Sequence, residues 1–82
     1  MTASSVFTKT LVRGPHVRAF RIHPATGTNR KASAEAGWIA SEESDRHIVV
    51  RRQFTDWHRV ERAVTRFMVE VAALHREGWV DL

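Results

Sequence analysis

Arginine is the residue type in this sequence whose chemistry stands out. Eleven of the 13 basic residues are Arg, and nine acidic residues leave a net charge of +4 with histidine counted as neutral. The planar guanidinium group binds a phosphate or a carboxylate through two parallel hydrogen bonds, which the Lys ammonium group cannot do. The composition favours an anionic partner, although a GC-rich coding sequence explains the same excess of arginine equally well.

Two adjacent arginines lie in the stretch HIVVRRQF, which reads as a β-strand. Successive residues of a strand point to opposite faces of the sheet, so the side chains of Arg51 and Arg52 must lie on different faces. The alternating set that contains Arg52 is the more apolar one, and its members are Ile48, Val50, Arg52 and Phe54. We therefore predict that Arg52 lies on the core side with its charged head at the rim, and that Arg51 faces solvent.

The stretch HVRAFRIH reads as another strand, and the same alternation applies to it. Phe20 and Ile22 share one face, and Arg21 lies on the other. Arg21, Arg51 and Lys9 then form a basic, open sheet face that can contact phosphates. This face offers no clear aromatic side chain on which a base could stack.

A third group of arginines lies on a predicted C-terminal helix. Arg59, Arg62, Arg66 and Arg76 lie opposite its apolar stripe. Arg62 and Arg66 are like charges four residues apart. Such a pair mildly destabilises a helix, so a binding role is one reason for it. The alternative is an exposed helix face whose charges are solvated and partly neutralised by nearby glutamates.

Patterns for catalysis or metal binding are not found. The five histidines include no i, i+4 helical pair of the kind that binds zinc. Glu42, Glu43 and Asp45 gather in a predicted turn, where contact with water makes them poor acid–base catalysts. There is no Cys, no GxSxG and no glycine-rich phosphate loop. We therefore expect a non-enzymatic protein with no cofactor, no metal and no small-molecule substrate.

Length and composition indicate one globular domain, since 82 residues with 43% apolar residues provide a single core. No stretch approaches the ~20 apolar residues that span a bilayer, and the first 14 residues lack the apolar core of a signal peptide. The absence of Cys fits a reducing compartment. We expect a cytoplasmic protein with no membrane role.

The N-terminal half predicts a β-hairpin and a loop. Residues 6–13 and 16–23 are rich in strand-forming residues, and Gly14-Pro15 between them suits a tight turn. Residues 24–37 are rich in Pro, Gly, Thr, Asn, Ser and Ala and contain no large apolar residue. We predict a mobile loop there.

A second pair of strands follows this loop. The third strand begins at residues 38–41, EESDR supplies a polar turn, and residues 47–54 return as the fourth strand. A short helix through residues 32–42 is the competing interpretation, which Gly37 disfavours.

The last segment has the clearest periodicity. Six apolar residues follow one another at spacings of 3, 4, 3, 4 and 3, and Met68 widens the stripe that they form. The six are Trp57, Val60, Val64, Phe67, Val71 and Leu74. This pattern predicts an amphipathic helix over residues 56–77. Thr55 or Asp56 can cap its start. Gly78 can end it in a Schellman motif that sets Trp79 against Leu74.

The predicted order is β-β-β-β-α with a short tail at 79–82. We expect a small two-layer α+β domain over residues 1–82, in which an antiparallel sheet of three to four strands packs against one long C-terminal helix.

Two functions fit this architecture. The first is a binding module that contacts nucleic acid or an acidic protein through a surface made of Arg21, Arg51, Arg59, Arg62 and Arg66. The alternative is a protein-interaction or self-associating domain, for instance a homodimer, that uses the long helix with Val69 and Ala73 exposed on it.

Overall fold

A computed structural model describes residues 6–25 and 37–82, which form an antiparallel sheet with one helix across a single face. The elements are β1 (Phe7–Arg13), β2 (His16–Pro24), β3 (Trp38–Ser44), β4 (His47–Phe54), α1 (Trp57–Arg76) and β5 (Val80–Asp81). The strand order in the sheet is β4-β3-β2-β1-β5, so β4 and β5 are the two edges. The α+β class is confirmed.

The described residues form a sheet of five strands, so the prediction of three to four strands is wrong. The strand that it missed is β5. The chain after the helix was predicted as a tail, but β5 pairs antiparallel with Leu11 and Val12 of β1. The Leu82 N–H also donates to the Thr10 carbonyl at 2.9 Å. A two-residue strand has no periodicity of its own, and it forms here because the helix ends beside β1.

The turn between β3 and β4 is shorter than predicted. The strand continues through Ser44, so Glu42 and Glu43 belong to β3, and only Asp45 and Arg46 form the turn. Both turn residues have positive φ, of 51° and 73°, as expected for a two-residue hairpin turn that matches the twist of the strands. The Asp45 carboxylate accepts the Val17 N–H at 2.9 Å and thereby ties the turn to β2.

The predicted mobile loop at about 24–37 lies outside the described residues, apart from its two ends. At these ends, Pro24 closes β2, and the Ala25 N–H donates to the Gly37 carbonyl at 2.8 Å. The competing helix over 32–42 is wrong in its described part, because β3 begins at Trp38.

The helix begins one residue later and ends one residue earlier than predicted, at Trp57 and Arg76. Asp56, rather than Thr55, is its N-cap, and its carboxylate accepts the His58 N–H at 3.0 Å. This bond satisfies one of the backbone donors that a helix start leaves without a partner.

The end of the helix is the predicted Schellman motif. Gly78 has φ of +100°, which L side chains rarely adopt. The Trp79 N–H donates to the Leu74 carbonyl at 3.0 Å, and the Gly78 N–H donates to the His75 carbonyl at 3.2 Å. Trp79 packs on the core and the chain turns back toward β1 as β5.

The core lies between the helix and the central strands. Its buried members are Leu11, Phe20, Ile22, Ala40, Val60, Ala63, Phe67, Val71 and Leu74. Phe67 is at its centre, with ring centroids 5.8 Å from Phe7 and 5.1 Å from Phe20. The predicted apolar stripe is confirmed except at Trp57 and Met68. Trp57 is 46% exposed and packs edge-on against Trp38, and Met68 is 58% exposed. Over the described ranges, no helix is long and apolar enough to cross a membrane.

Candidate anion-binding groove

The pairing of β3 with β4 fixes the directions of Arg51 and Arg52. Arg52 pairs with Ala40, a core residue, and Arg51 pairs with Ser41. Paired residues of antiparallel strands share a face, so Arg52 lies on the helix side of the sheet and Arg51 on the opposite side, here named the outer face. This confirms the predicted orientation, and both side chains are exposed because β4 is an edge strand.

Ile48 does not share the face of Arg52, so that part of the prediction is wrong. The register between β3 and β4 shifts between Glu42, which pairs with Val50, and Glu43, which pairs with Ile48. This bulge inserts one extra residue into β4 and moves Ile48 to the outer face. Its side chain is 59% exposed there.

The outer face is less basic than predicted. Arg21 pairs with Ser41 and therefore lies in one row with Arg51, but its guanidinium group forms an ion pair with the Glu43 carboxylate. Lys9 is not on this face, because it pairs with Phe20 and its ammonium nitrogen lies 2.8 Å from Asp81 on the helix side. In this row, Arg51 is the arginine that forms no ion pair with a described carboxylate.

A groove lies between β4 and the first half of α1. It is lined by Arg52, Phe54, Arg59, Arg62, Ala63 and Arg66. Only two residues separate β4 from α1, so the first turns of the helix run beside the end of the strand. Residues spaced i, i+3 and i+7 lie on one side of a helix, which places the three helix arginines along the same wall.

Charge in this groove is of one sign. The groove lining contains four exposed arginines and no carboxylate. Asp56 and Glu61 line the neighbouring cavity on α1, which shares Arg59, Arg62 and Arg66 with the groove. Ion pairs of the described residues join other groups, including Arg18 with Glu70 and Lys9 with Asp81. None of the four groove arginines forms an ion pair with a described carboxylate. Their combined field attracts an anion with several charges.

The predicted site residues therefore fall into two groups. Arg59, Arg62 and Arg66 lie together in the groove, whereas Arg21 and Arg51 lie on the outer face. Sequence reasoning placed Arg52 on the core side but did not join it to the helix arginines. The short connection from β4 to α1 was the available signal, because a helix that starts so close to a strand must begin near its last residues.

Two carboxylates elsewhere in the fold have lowered pKa values, and both hold the chain in place. The backbone N–H of Val17, followed by the side chain of His16, lowers the pKa of Asp45. A hydrogen bond from Lys9, followed by one with His75, lowers the pKa of Asp81. No group of three or more metal-ligating side chains comes together in the ranges 6–25 and 37–82.

Comparisons of the chain with protein-family models, curated proteins and solved structures gave no match.

Proposed function

We propose that this protein is a non-enzymatic binding module that holds an anionic partner in the groove between β4 and α1. The observation that carries this proposal is the convergence of Arg52 with Arg59, Arg62 and Arg66 around a lining without a carboxylate. One exposed arginine on a helix needs no explanation beyond solvation. Four arginines from two elements, none in an ion pair with a described carboxylate, are a different arrangement.

Elementary electrostatics supports this use of the groove. Like charges held close together repel one another, and on a helix such pairs cost a few tenths of a kcal/mol each, at about 0.2–0.5. An anion that lies between them removes the repulsion and adds charge-assisted hydrogen bonds. The guanidinium fork suits phosphate and carboxylate oxygens equally, so both kinds of anion belong to this proposal.

Self-association through the helix is the second candidate. Met68 and Val69 are neighbouring large apolar residues on α1, with exposures of 58% and 62%, and Ala73 one turn further is half-buried. Apolar residues at the centre of an exposed helix favour a contact with another helix. The mark of this function is a molecular mass that rises with concentration and changes little with salt.

The test is fluorescence anisotropy of labelled RNA, duplex DNA and an oligoglutamate peptide, each titrated with the protein at ~50 and ~200 mM salt. At least one of these anions should bind at the lower salt and weaken steeply at the higher one, because binding releases counterions. The double substitution R59Q/R66Q should reduce affinity by ~10-fold or more, as expected for the loss of charge-assisted bonds.

The matched control is R13Q/R76Q, which removes the same charge from exposed arginines outside the groove. It should cause a much smaller loss, through the general field alone. No binding by any of the three anions would overturn the proposal, and so would equal losses from the two double substitutions.

A further inference from the structure

The groove has an apolar floor as well as basic walls. Phe54 and Ala63 are part of its lining, together with the four arginines. Ala63 is 1% exposed, and Phe54 is half-buried with its ring packed against the core. Because Ala63 is almost wholly covered, the apolar surface that a partner can reach is the exposed part of Phe54. A partner in this groove can therefore place an apolar side chain against Phe54 and negative charges against the walls.

From this combination we propose that the partner is an acidic protein segment in which apolar side chains stand beside carboxylates. The inference rests on the function proposed above and narrows its partner to one chemical class. Leu- or Phe-type side chains would cover the floor and displace its water, and carboxylates would bind the guanidinium groups of Arg52, Arg59 and Arg66.

Nucleic acid fits the groove less well because the aromatic side chains near it are already engaged. Base stacking needs an open ring face, but Phe54 is packed on the core. Trp57 is the exposed aromatic at the start of α1, and it packs edge-on against Trp38 at 5.1 Å between ring centroids. Its indole N–H donates to the Glu61 carboxylate at 3.1 Å, so this ring is held by contacts within the fold and is not an open stacking platform.

A second copy of this chain also fits less well. The acidic stretch of the described residues is EESD at 42–45, and two of its three carboxylates are committed within the fold. Glu43 is paired with Arg21, and Asp45 accepts the Val17 N–H while it contacts His16. Inserting this stretch into the groove of another copy would break these contacts. A different protein with an uncommitted acidic segment has no such cost.

The experiment compares three fluorescein-labelled probes of equal negative charge at one salt concentration. The first is a peptide that alternates Glu with Leu, the second alternates Glu with Ser, and the third is single-stranded DNA. The Glu-Leu peptide should bind ~3- to 10-fold more tightly than the Glu-Ser peptide, the gain expected from covering the exposed part of one Phe side chain. Its affinity should fall with R59Q/R66Q and change little with R13Q/R76Q.

The possible failures of the two proposals are distinct. Equal affinities for the two peptides, with both dependent on Arg59 and Arg66, would overturn the acidic–apolar segment and leave the anion-binding function in place. Tightest binding by DNA with the same arginine dependence would do the same and would identify nucleic acid as the partner. Loss of binding for every probe would overturn both.

Discussion

At the scale of single residues, one step along β4 decides which arginine belongs to the groove. Alternation sends Arg52 to the helix side and Arg51 to the outer face, and this much follows from the sequence because the pattern of apolar residues marks the core side. The ion pair of Arg21, in contrast, cannot be predicted from the pattern of apolar residues. This pair with Glu43 depends on the register between β2 and β3, which no local pattern specifies.

Gly37 lies against the backbone at the end of β4, and a comparison with Gly14 tests how close this approach is. A Cβ atom on Gly37 would lie 1.9 Å from the Phe54 carbonyl oxygen, whereas one on Gly14 would meet nothing within 4 Å. Both residues have positive φ, of +71° and +59°. Gly14→Ala should therefore cost about 1–2 kcal/mol in the free energy of unfolding, from backbone strain alone. Gly37→Ala should cost at least about 1–3 kcal/mol more, because backbone atoms must move.

Urea unfolding of the two variants checks this difference, and Gly14→Ala serves as the control for strain. Equal losses of stability would mean that the chain at Gly37 does not lie against the end of β4 in solution.

The ionised carboxylate of Asp81 should stabilise the fold, and acid should remove this contribution. Hydrogen bonds from Lys9 and with His75 lower the pKa of Asp81 from its ordinary value of 3.8. A carboxylate with a lowered pKa stabilises the fold above its unfolded-state pKa, and this contribution is lost as the pH falls through its folded-state pKa. The melting temperature of Asp81→Asn should therefore lie below that of the wild type at about pH 6, and the two should converge by about pH 2.

Thermal unfolding of both proteins across this pH range gives the comparison. A difference in melting temperature that stays constant down to about pH 2 would contradict a role for the ionised carboxylate.

At the scale of elements, the N-cap of α1 provides a prediction with a neighbouring control. The Asp56 carboxylate accepts the His58 N–H at 3.0 Å, so Asp56→Ala should cost about 1 kcal/mol of stability. Thr55 was the other sequence candidate, and Thr55→Ala should have a much smaller effect because its side chain caps no described backbone group. Denaturant midpoints compare the two variants, and a larger loss from Thr55→Ala would reverse the assignment of the cap.

The helix and β5 differ in how far the sequence predicts them. The helix repeats its apolar stripe over five turns and has its own start and stop residues, so its bounds follow from the sequence to within one residue. β5 is formed by two residues that pair with β1, some 70 positions earlier in the chain. Its formation depends on where Gly78 sends the chain after the helix, which is a property of the assembled fold.

At the scale of the whole molecule, the groove is a consequence of how the two layers meet. The sequence predicts a sheet, a helix and three arginines along that helix, but the way the helix crosses the sheet decides which strand they face. Because β4 is an edge strand and leads directly into α1, the arginine of the strand and those of the helix line one groove. The cluster of Arg59, Arg62 and Arg66 on the helix was predicted from the sequence. Its completion by Arg52 was not predicted, although the short connection from β4 to α1 indicates it.

The most direct test of this groove is an NMR titration that observes the Nε–H signals of the arginine side chains. The protein is labelled with ¹⁵N-arginine and titrated with the Glu-Leu peptide. The account predicts that the signals of Arg52, Arg59, Arg62 and Arg66 shift most, and that those of Arg13, Arg21 and Arg76 change little. Largest shifts at Arg21 and Arg51, or uniform small shifts across all arginines, would contradict it.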